Sequence, residues 1–250
     1  METWIWRQFE LEHPEDWEML QYGRRDDAGR CAFADRYQYR LEFNWRKFDG
    51  TPDWERTLSD YRSKLQTDHP DAKLRPVKSA NWSGLDMHDG KVRTSRFGRF
   101  FAQSGCLVEM VFIWPDRKDA DLSRRVLESV YPRPARNGRV RWRAFGMDLR
   151  ADESLALKRC EVEPARAELH FATDQKHSPT ESYHRLGMVD QWLKGSVADW
   201  LELRAPADLG TEAAAVTSRR AGPPGWFYLL VAALALLAAE WCFYQRRWIS

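Results

Sequence analysis

Apolar and polar residues alternate strictly from Arg36 to Lys47, where Tyr37, Tyr39, Leu41, Phe43 and Trp45 interleave with Gln38, Arg40, Glu42, Asn44 and Arg46. A period of two predicts a strand with one buried and one wet face. Antiparallel pairing follows, because parallel strands covered on both sides read as continuous apolar runs. Thr51-Pro52 then opens a predicted helix with Trp54, Leu58, Tyr61 and Leu65 on one stripe. Past His69-Pro70-Asp71, the turn signals Asp89-Gly90 and Ser104-Gly105 divide a three-strand meander. Its last strand, Cys106–Trp114, is nearly all apolar and so expected to be central, with Pro115 ending it. Asp119 caps a second predicted helix bearing Leu122, Val126, Leu127 and Val130, and Tyr131-Pro132-Arg133-Pro134 closes a first unit over residues 1–134.

A second, shortened unit is expected over 138–204. Trp142-Arg143-Ala144-Phe145-Gly146-Met147 repeats the pattern of Trp6-Arg7-Gln8-Phe9-Glu10-Leu11, and Glu168-Leu169-His170-Phe171 loosely repeats Arg40-Leu41-Glu42-Phe43. Ser178-Pro179-Thr180-Glu181 combines a capping box with proline at the first helical position. It predicts a helix with Tyr183, Leu186, Val189 and Trp192/Leu193 as its stripe and Gly195 near its end. A last strand is expected at Trp200–Leu203, followed by an Ala-rich linker at 205–225.

The strongest apolar run is 226–244, with a short tail at 245–250. Its roughly 19 residues would make about 28 Å of helix at 1.5 Å per residue, the minimum for a membrane span. Trp226, Phe227 and Tyr228 stand at one end and Trp241, Phe243 and Tyr244 at the other, as interfacial aromatics do, and Pro223-Pro224-Gly225 sets the boundary. Glu240 is the one charge, placed where it can reach the interface. Arg219 and Arg220 balance Arg246 and Arg247, so flanking charge does not orient the span. The N-terminal sequence carries no signal peptide, and the expectation is therefore a globular part on the cytoplasmic side of a bacterial inner membrane.

Composition adds room for a core and little chemistry. The 250 residues are 43% hydrophobic and 30% charged, with 13 Trp to supply buried area. A net charge of +2 points to no nucleic acid. Four cysteines without a CxxC pair signal neither a disulfide framework nor zinc, and fit reduced thiols. There is no P-loop, GxGxxG after a strand, HExxH or GxSxG. Asp86-Met87-His88-Asp89 is the best metal-like cluster, but hairpin chemistry accounts for it. The same holds for Ser104-Gly105-Cys106 as a nucleophile. No catalytic residue, metal or cofactor is therefore expected. Arg133, Arg136, Arg139, Arg141 and Arg143 form a basic stretch suited to an anionic surface or to guarding a strand edge.

The order strand, strand, helix, meander, helix over residues 4–131 resembles the PsbP/Mog1-like α+β fold, which implies a small antiparallel sheet flanked by helices and used for binding and assembly. The tail Glu240-Trp241-Cys242-Phe243-Tyr244-Gln245-Arg246-Arg247 resembles the closing helix of Bat-type von Willebrand A-domain membrane proteins, although the Asp-x-Ser-x-Ser metal motif of those domains is missing. The expectation is thus a helix-flanked α+β protein, in part a tandem shortened repeat, with one C-terminal transmembrane helix. It would act as a non-enzymatic interaction or scaffold module with membrane lipid and a protein partner. Two alternatives stand beside it: a ligand-sensing or enzymatic domain with a cleft between the units, and a subunit of a membrane complex.

Overall fold

Long-range strand pairing decides most of this structure. The computed structural model describes residues 1–90, 92–174, 180–188, 191, 193–196 and 199–200. The chain divides into two units, Met1–Trp192 and Leu193–Ser250. Of the second, little is described beyond the Trp200 N–H donating to the Ser196 carbonyl at 3.2 Å.

In the first unit the elements run β1 (Glu2–Trp6), β2 (Phe9–His13), β3 (Glu18–Gln21), β4 (Ala28–Ala34), β5 (Tyr39–Lys47), α1 (Trp54–Asp68), β6 (Lys73–Ser79), β7 (Trp82–His88), β8 (Arg93–Phe101) and β9 (Cys106–Trp114). They continue with α2 (Ala120–Ser129), β10 (Tyr131–Pro132), β11 (Arg139–Ala144), β12 (Met147–Asp152), β13 (Ala156–Glu163), β14 (Arg166–Ala172) and β15 (Thr180–Leu186). Three sheets result, ordered β3-β4-β5-β9-β8-β7-β6, β10-β2-β1-β11-β12 and β13-β14-β15, and every pairing is antiparallel.

The expected helix-flanked α+β class is corrected to a fold dominated by antiparallel sheets, with two helices among the described residues. The clearest reason lies at 180–186. Tyr183 and Leu186 have helical spacing, but Thr180, Ser182 and His184 instead pair with Ala172, His170 and Glu168 of β14. The exposure of this segment alternates with a period near two. A long-range partner strand overrides the local cap signal; Ser178, Pro179, Val189 and Trp192 of the expected helix lie outside the described residues. Of the expected strand Trp200–Leu203 only Trp200 is described, and it is helical.

The tandem reading is also corrected. The two Trp-containing segments are not the starts of separate sheets: β1 lies between β2 and β11 in one sheet, with Ile5 opposite Arg143. Both segments make tight hairpins, with Arg7 and Phe145 at φ 57° and 52°, and that shared local shape explains their likeness.

Among the described residues no helix is long and apolar enough to cross a membrane. This overturns the reading of the chain as a single-pass, tail-anchored membrane protein with its globular part at a cytoplasmic face. An apolar run states a composition, whereas a span requires a continuous helix. The segment 226–244, with Trp226, Phe227, Tyr228, Glu240, Trp241, Phe243 and Tyr244, lies outside the described residues, as do 205–225 and 245–250.

Aromatic rings join the sheets. Trp4 meets Phe33 and Phe43 edge-on at 5.4 Å, and Phe9 lies 5.3 Å from Phe43 and 5.8 Å from Phe101, so the five-stranded sheet packs on one face of the seven-stranded sheet. Trp142 then bridges Trp6 at 5.0 Å and Phe171 of the three-stranded sheet at 5.1 Å. Such pairs contribute about 0.5–1.5 kcal/mol each beyond their burial. On the same face α2 buries Val126 and Leu127, and the Trp82 indole N–H donates to the Leu127 carbonyl at 3.0 Å. The opposite face receives α1 through Leu65, Tyr61, Leu74, Leu85 and Met87. Both helices begin on aspartate caps, Asp53 accepting from the Arg56 N–H at 3.1 Å and Asp119 from the Leu122 N–H at 2.8 Å.

Candidate functional site

Asp86, Ser104 and Cys106, the candidates for chemistry among the described residues, are engaged in internal contacts. Asp86 accepts both from Lys118 Nζ, at 2.9 and 2.8 Å, and from Ser95 Oγ at 2.6 Å. The Trp114 indole N–H donates to the same hydroxyl at 3.0 Å. This network ties the loop before α2 to β7 and β8, and Ser95 at its centre is fully buried. Asp89 accepts from the Val92 N–H at 2.8 Å as part of its hairpin. Among the described residues no group of three His, Cys, Asp or Glu side chains is placed to hold a metal. Ser104 Oγ donates to the Phe101 carbonyl at 3.2 Å, and the buried Cys106 thiol takes a hydrogen bond from Gln8 Nε2 at 3.1 Å. Burial pushes the Cys31 thiol up to about 12 and the Cys160 thiol up to about 11, so neither is a thiolate near neutral pH.

The basic stretch is laid out along sheet edges and largely paired. Arg133 meets Glu10, Arg139 Nη1 donates to Glu181 at 2.7 Å, and Arg141 forks onto Asp148 at 2.8 and 2.5 Å. Arg143 sits opposite Asp148 across the β11–β12 ladder, and Arg136 bridges to Arg139 through the backbone. Three of the five guanidinium groups, those of Arg133, Arg139 and Arg141, are therefore already paired with carboxylates.

A further polar cluster fastens α1 to the sheet. Tyr61 Oη donates to Glu109 and accepts from Arg96 Nη1 at 2.9 Å, while Asn44 Nδ2 donates to Glu109 at 3.0 Å. Burial, then the Glu109 carboxylate, pushes the Tyr61 phenol well above its ordinary range.

What distinguishes the seven-stranded sheet is the contrast between its two edges. β6 is guarded in the manner expected of an exposed edge: Pro76 cannot donate, and Lys73, Arg75 and Lys78 are exposed along it. β3, at the other edge, has the sequence Glu-Met-Leu-Gln and carries neither proline nor lysine; its protections are its shortness, the exposed Glu18 and a register shift between Met19 and Gln21. Its Leu20 is 55% exposed. Tyr37 is 81% exposed and Tyr39 40% exposed, and Gln21 Nε2 of β3 donates to Tyr39 Oη at 3.2 Å. Met19 anchors the strand from behind, its sulfur accepting from the Trp4 indole at 3.2 Å.

Asp35 builds the turn that presents Tyr37. Its Oδ1 accepts from the N–H groups of Tyr37 and Gln38, both at 2.8 Å, and Oδ2 takes Arg40 Nε at 2.5 Å. Burial opposes ionisation there, but these two N–H groups and the Arg40 guanidinium outweigh it and hold the carboxyl below the usual carboxylate range. Tyr37 and Tyr39 read in the sequence as the buried face of the alternating strand, yet β5 starts only at Tyr39 and its register with β4 slips between Phe33 and Ala34. A bulge at the strand entrance re-aims the side chains. The signal that could have found this is Asp35 itself, an Asx turn residue two positions ahead of Tyr37.

Fold and site together define an antiparallel sheet-rich module whose seven-stranded sheet ends in two unlike edges, β6 with Pro76 and three exposed cations and β3 short and bulged. No family model and no curated protein matches the chain. A solved structure of a protein from Bacteroides thetaiotaomicron VPI-5482 aligns with 16% identity and a TM-score of 0.34, over 54% of this chain and 49% of that one. The chain therefore spans about half the length of that protein, and a likeness at this level carries no argument.

Proposed function

We propose that the chain is a non-enzymatic protein-interaction module whose docking element is the β3 edge of the seven-stranded sheet, where an extended segment of a partner adds to β3. The single observation behind this reading is the contrast between β6, with Pro76 and three exposed cations, and β3, which is short and bulged but carries neither and leaves Leu20 exposed. Strand addition draws affinity from main-chain hydrogen bonds and specificity from side chains next to the new strand. Tyrosines suit that role because they offer large contact area with few rotors to fix. The engagement of Asp86, Ser95, Ser104 and the buried thiols in internal contacts supports binding over catalysis.

The test is site-specific photo-crosslinking in the native cell, with the reactive group placed at Leu20 or Tyr37 and, for comparison, at Lys78 on the guarded edge. A discrete adduct is expected from the first two positions and none from the third. Equal labelling at both edges, or none at β3, would sink the proposal.

A further inference from the structure

We infer that Arg7 is a receptor for a small carboxylate, which the side edge of its guanidinium, Nε–H with Nη2–H, grips as a fork beneath the loop joining β3 to β4. The inference is independent of strand addition at β3.

Arg7 departs from three local rules at once. It takes the left-handed region, with φ 57°, in the tight turn between β1 and β2, a conformation that favours glycine. Its side chain is only 8% exposed, and burial pushes the guanidinium down to about 10. Its Nε and Nη2 reach neither solvent nor an acceptor. Buried donors are nearly always paired, and a residue that combines backbone strain with unmet donors marks a functional position. Hairpin geometry does not by itself call for arginine here, since the turn between β11 and β12 sets Phe145 at φ 52° with no charge.

The open edge has a definite shape. Nε–H and the neighbouring Nη2–H run parallel and match the two oxygens of a carboxylate. Arg25 and Arg141 use this same edge to fork onto Asp27 and Asp148. In Arg7, Asp26 takes Nη1 instead, which leaves the fork unused. The Trp142 ring lies 5.7 Å from the guanidinium carbon and holds the plane of the fork. Asp26 and Asp27 already supply negative charge around Arg7, so a singly charged carboxylate suits the site better than a phosphate. Entry is through the loop over residues 22–27. Its start is fastened, with Tyr22 Oη donating to the Cys160 carbonyl and the Trp6 indole N–H to the Gly23 carbonyl, each at 2.9 Å. Arg24, Arg25 and Asp26 beyond it are exposed, so this stretch can lift from Arg7 while the start stays in place.

The experiment is NMR of the full chain, following the Arg7 Nε–H signal as acetate or inorganic phosphate is added with chloride as the balancing salt, and thermal unfolding under the same conditions. Acetate is expected to shift the signal saturably and to raise Tm, and phosphate to do less at equal concentration. Arg7→Lys keeps the charge but loses the fork, and should weaken acetate binding by about tenfold or more. Asp26→Asn, at an exposed position, should tighten it about two- to fivefold. That second variant decides the matter where Arg7→Lys does not fold, because a purely structural Arg7 gives no acetate response for Asp26 to modulate. An Arg7 Nε–H that contacts only an enclosed water and ignores acetate overturns the inference. So does acetate binding that neither substitution changes, or that Asp26→Asn weakens. Phosphate bound more tightly than acetate overturns the carboxylate as ligand.

Discussion

Gly29 lies directly across the β4–β5 ladder from Trp45, and the space its missing side chain leaves is filled by the indole. A Cβ at position 29 would fall 2.2 Å from Trp45 Cζ2, 2.5 Å from Cη2 and 2.8 Å from Cε2. Gly23 closes the same slot, since a Cβ there would lie 2.8 Å from Cη2. Trp45 is only 4% exposed and cannot swing into solvent without uncovering the core. Gly29→Ala therefore sets two effects against each other. Removing a glycine from the unfolded chain stabilises by about 0.4–1 kcal/mol where the backbone permits alanine. Overpacking a filled site costs about 1–3 kcal/mol. With three ring atoms inside 3 Å the second effect wins, and the net loss should be about 1–2 kcal/mol. Trp45→Phe removes the far half of the indole, so in that background Gly29→Ala should become neutral or slightly stabilising. Urea unfolding of the four proteins, with midpoints and slopes fitted together, measures the coupling. If Gly29→Ala costs the same with and without the indole, the steric account is wrong.

The other expectations concern the polar networks. Asp35→Asn should cost about 1–3 kcal/mol at neutral pH through its charged hydrogen bonds. Because the folded carboxyl titrates below the unfolded one, that contribution is present above the unfolded value near 4 and fades as pH falls through the folded value; the gap between Asp35→Asn and wild type in urea should narrow on acidification. Tyr61→Phe removes a hydroxyl bonded to both Glu109 and Arg96 and should cost about 1–2 kcal/mol by the same assay. A phenol at position 61 that ionises with the exposed tyrosines in an alkaline absorbance titration would contradict its burial. Cys31 and Cys160 should resist alkylation at pH 8 in the folded protein and react after denaturation, as read by peptide mass spectrometry; prompt labelling in the native state would refute the packing around them.

The sequence was most readable where one physical rule acted alone. The 36–47 alternation lies over β5, and the turn signals at Asp89-Gly90 and Ser104-Gly105 separate β7, β8 and β9. Asp119 caps α2, while α1 starts from Asp53 rather than from the preceding proline. What escaped were structures whose cause lies far away in the chain. β15 exists because Leu169 and Phe171 offer a neighbouring strand, and nothing between 178 and 195 announces it. The pairing of β1 with β11 looks, in one dimension, like repetition. The β3 edge is invisible in one dimension because it is defined by a missing neighbour, and the period-two pattern puts Tyr37 and Tyr39 on the buried face although both are exposed. Ion pairs such as Arg133 with Glu10 and Arg139 with Glu181 join residues remote in sequence, so an arginine-rich stretch could not be told apart from one already neutralised.

The central position of β1 between β2 and β11 sets an order on the way the chain can fold during synthesis. The first strand leaves the ribosome with Trp4 and Trp6 on it, and its second neighbour arrives only after residue 139. At about 5–20 residues per second that interval is roughly ten seconds. Until then the hairpin β1–β2 can shelter Trp4 on Phe43 of β5, but the edge that β11 will occupy stays open and Trp6 lacks Trp142. Nascent chains stalled before residue 139 should accordingly draw chaperones, and release from them should follow the emergence of β11 and not the completion of the seven-stranded sheet.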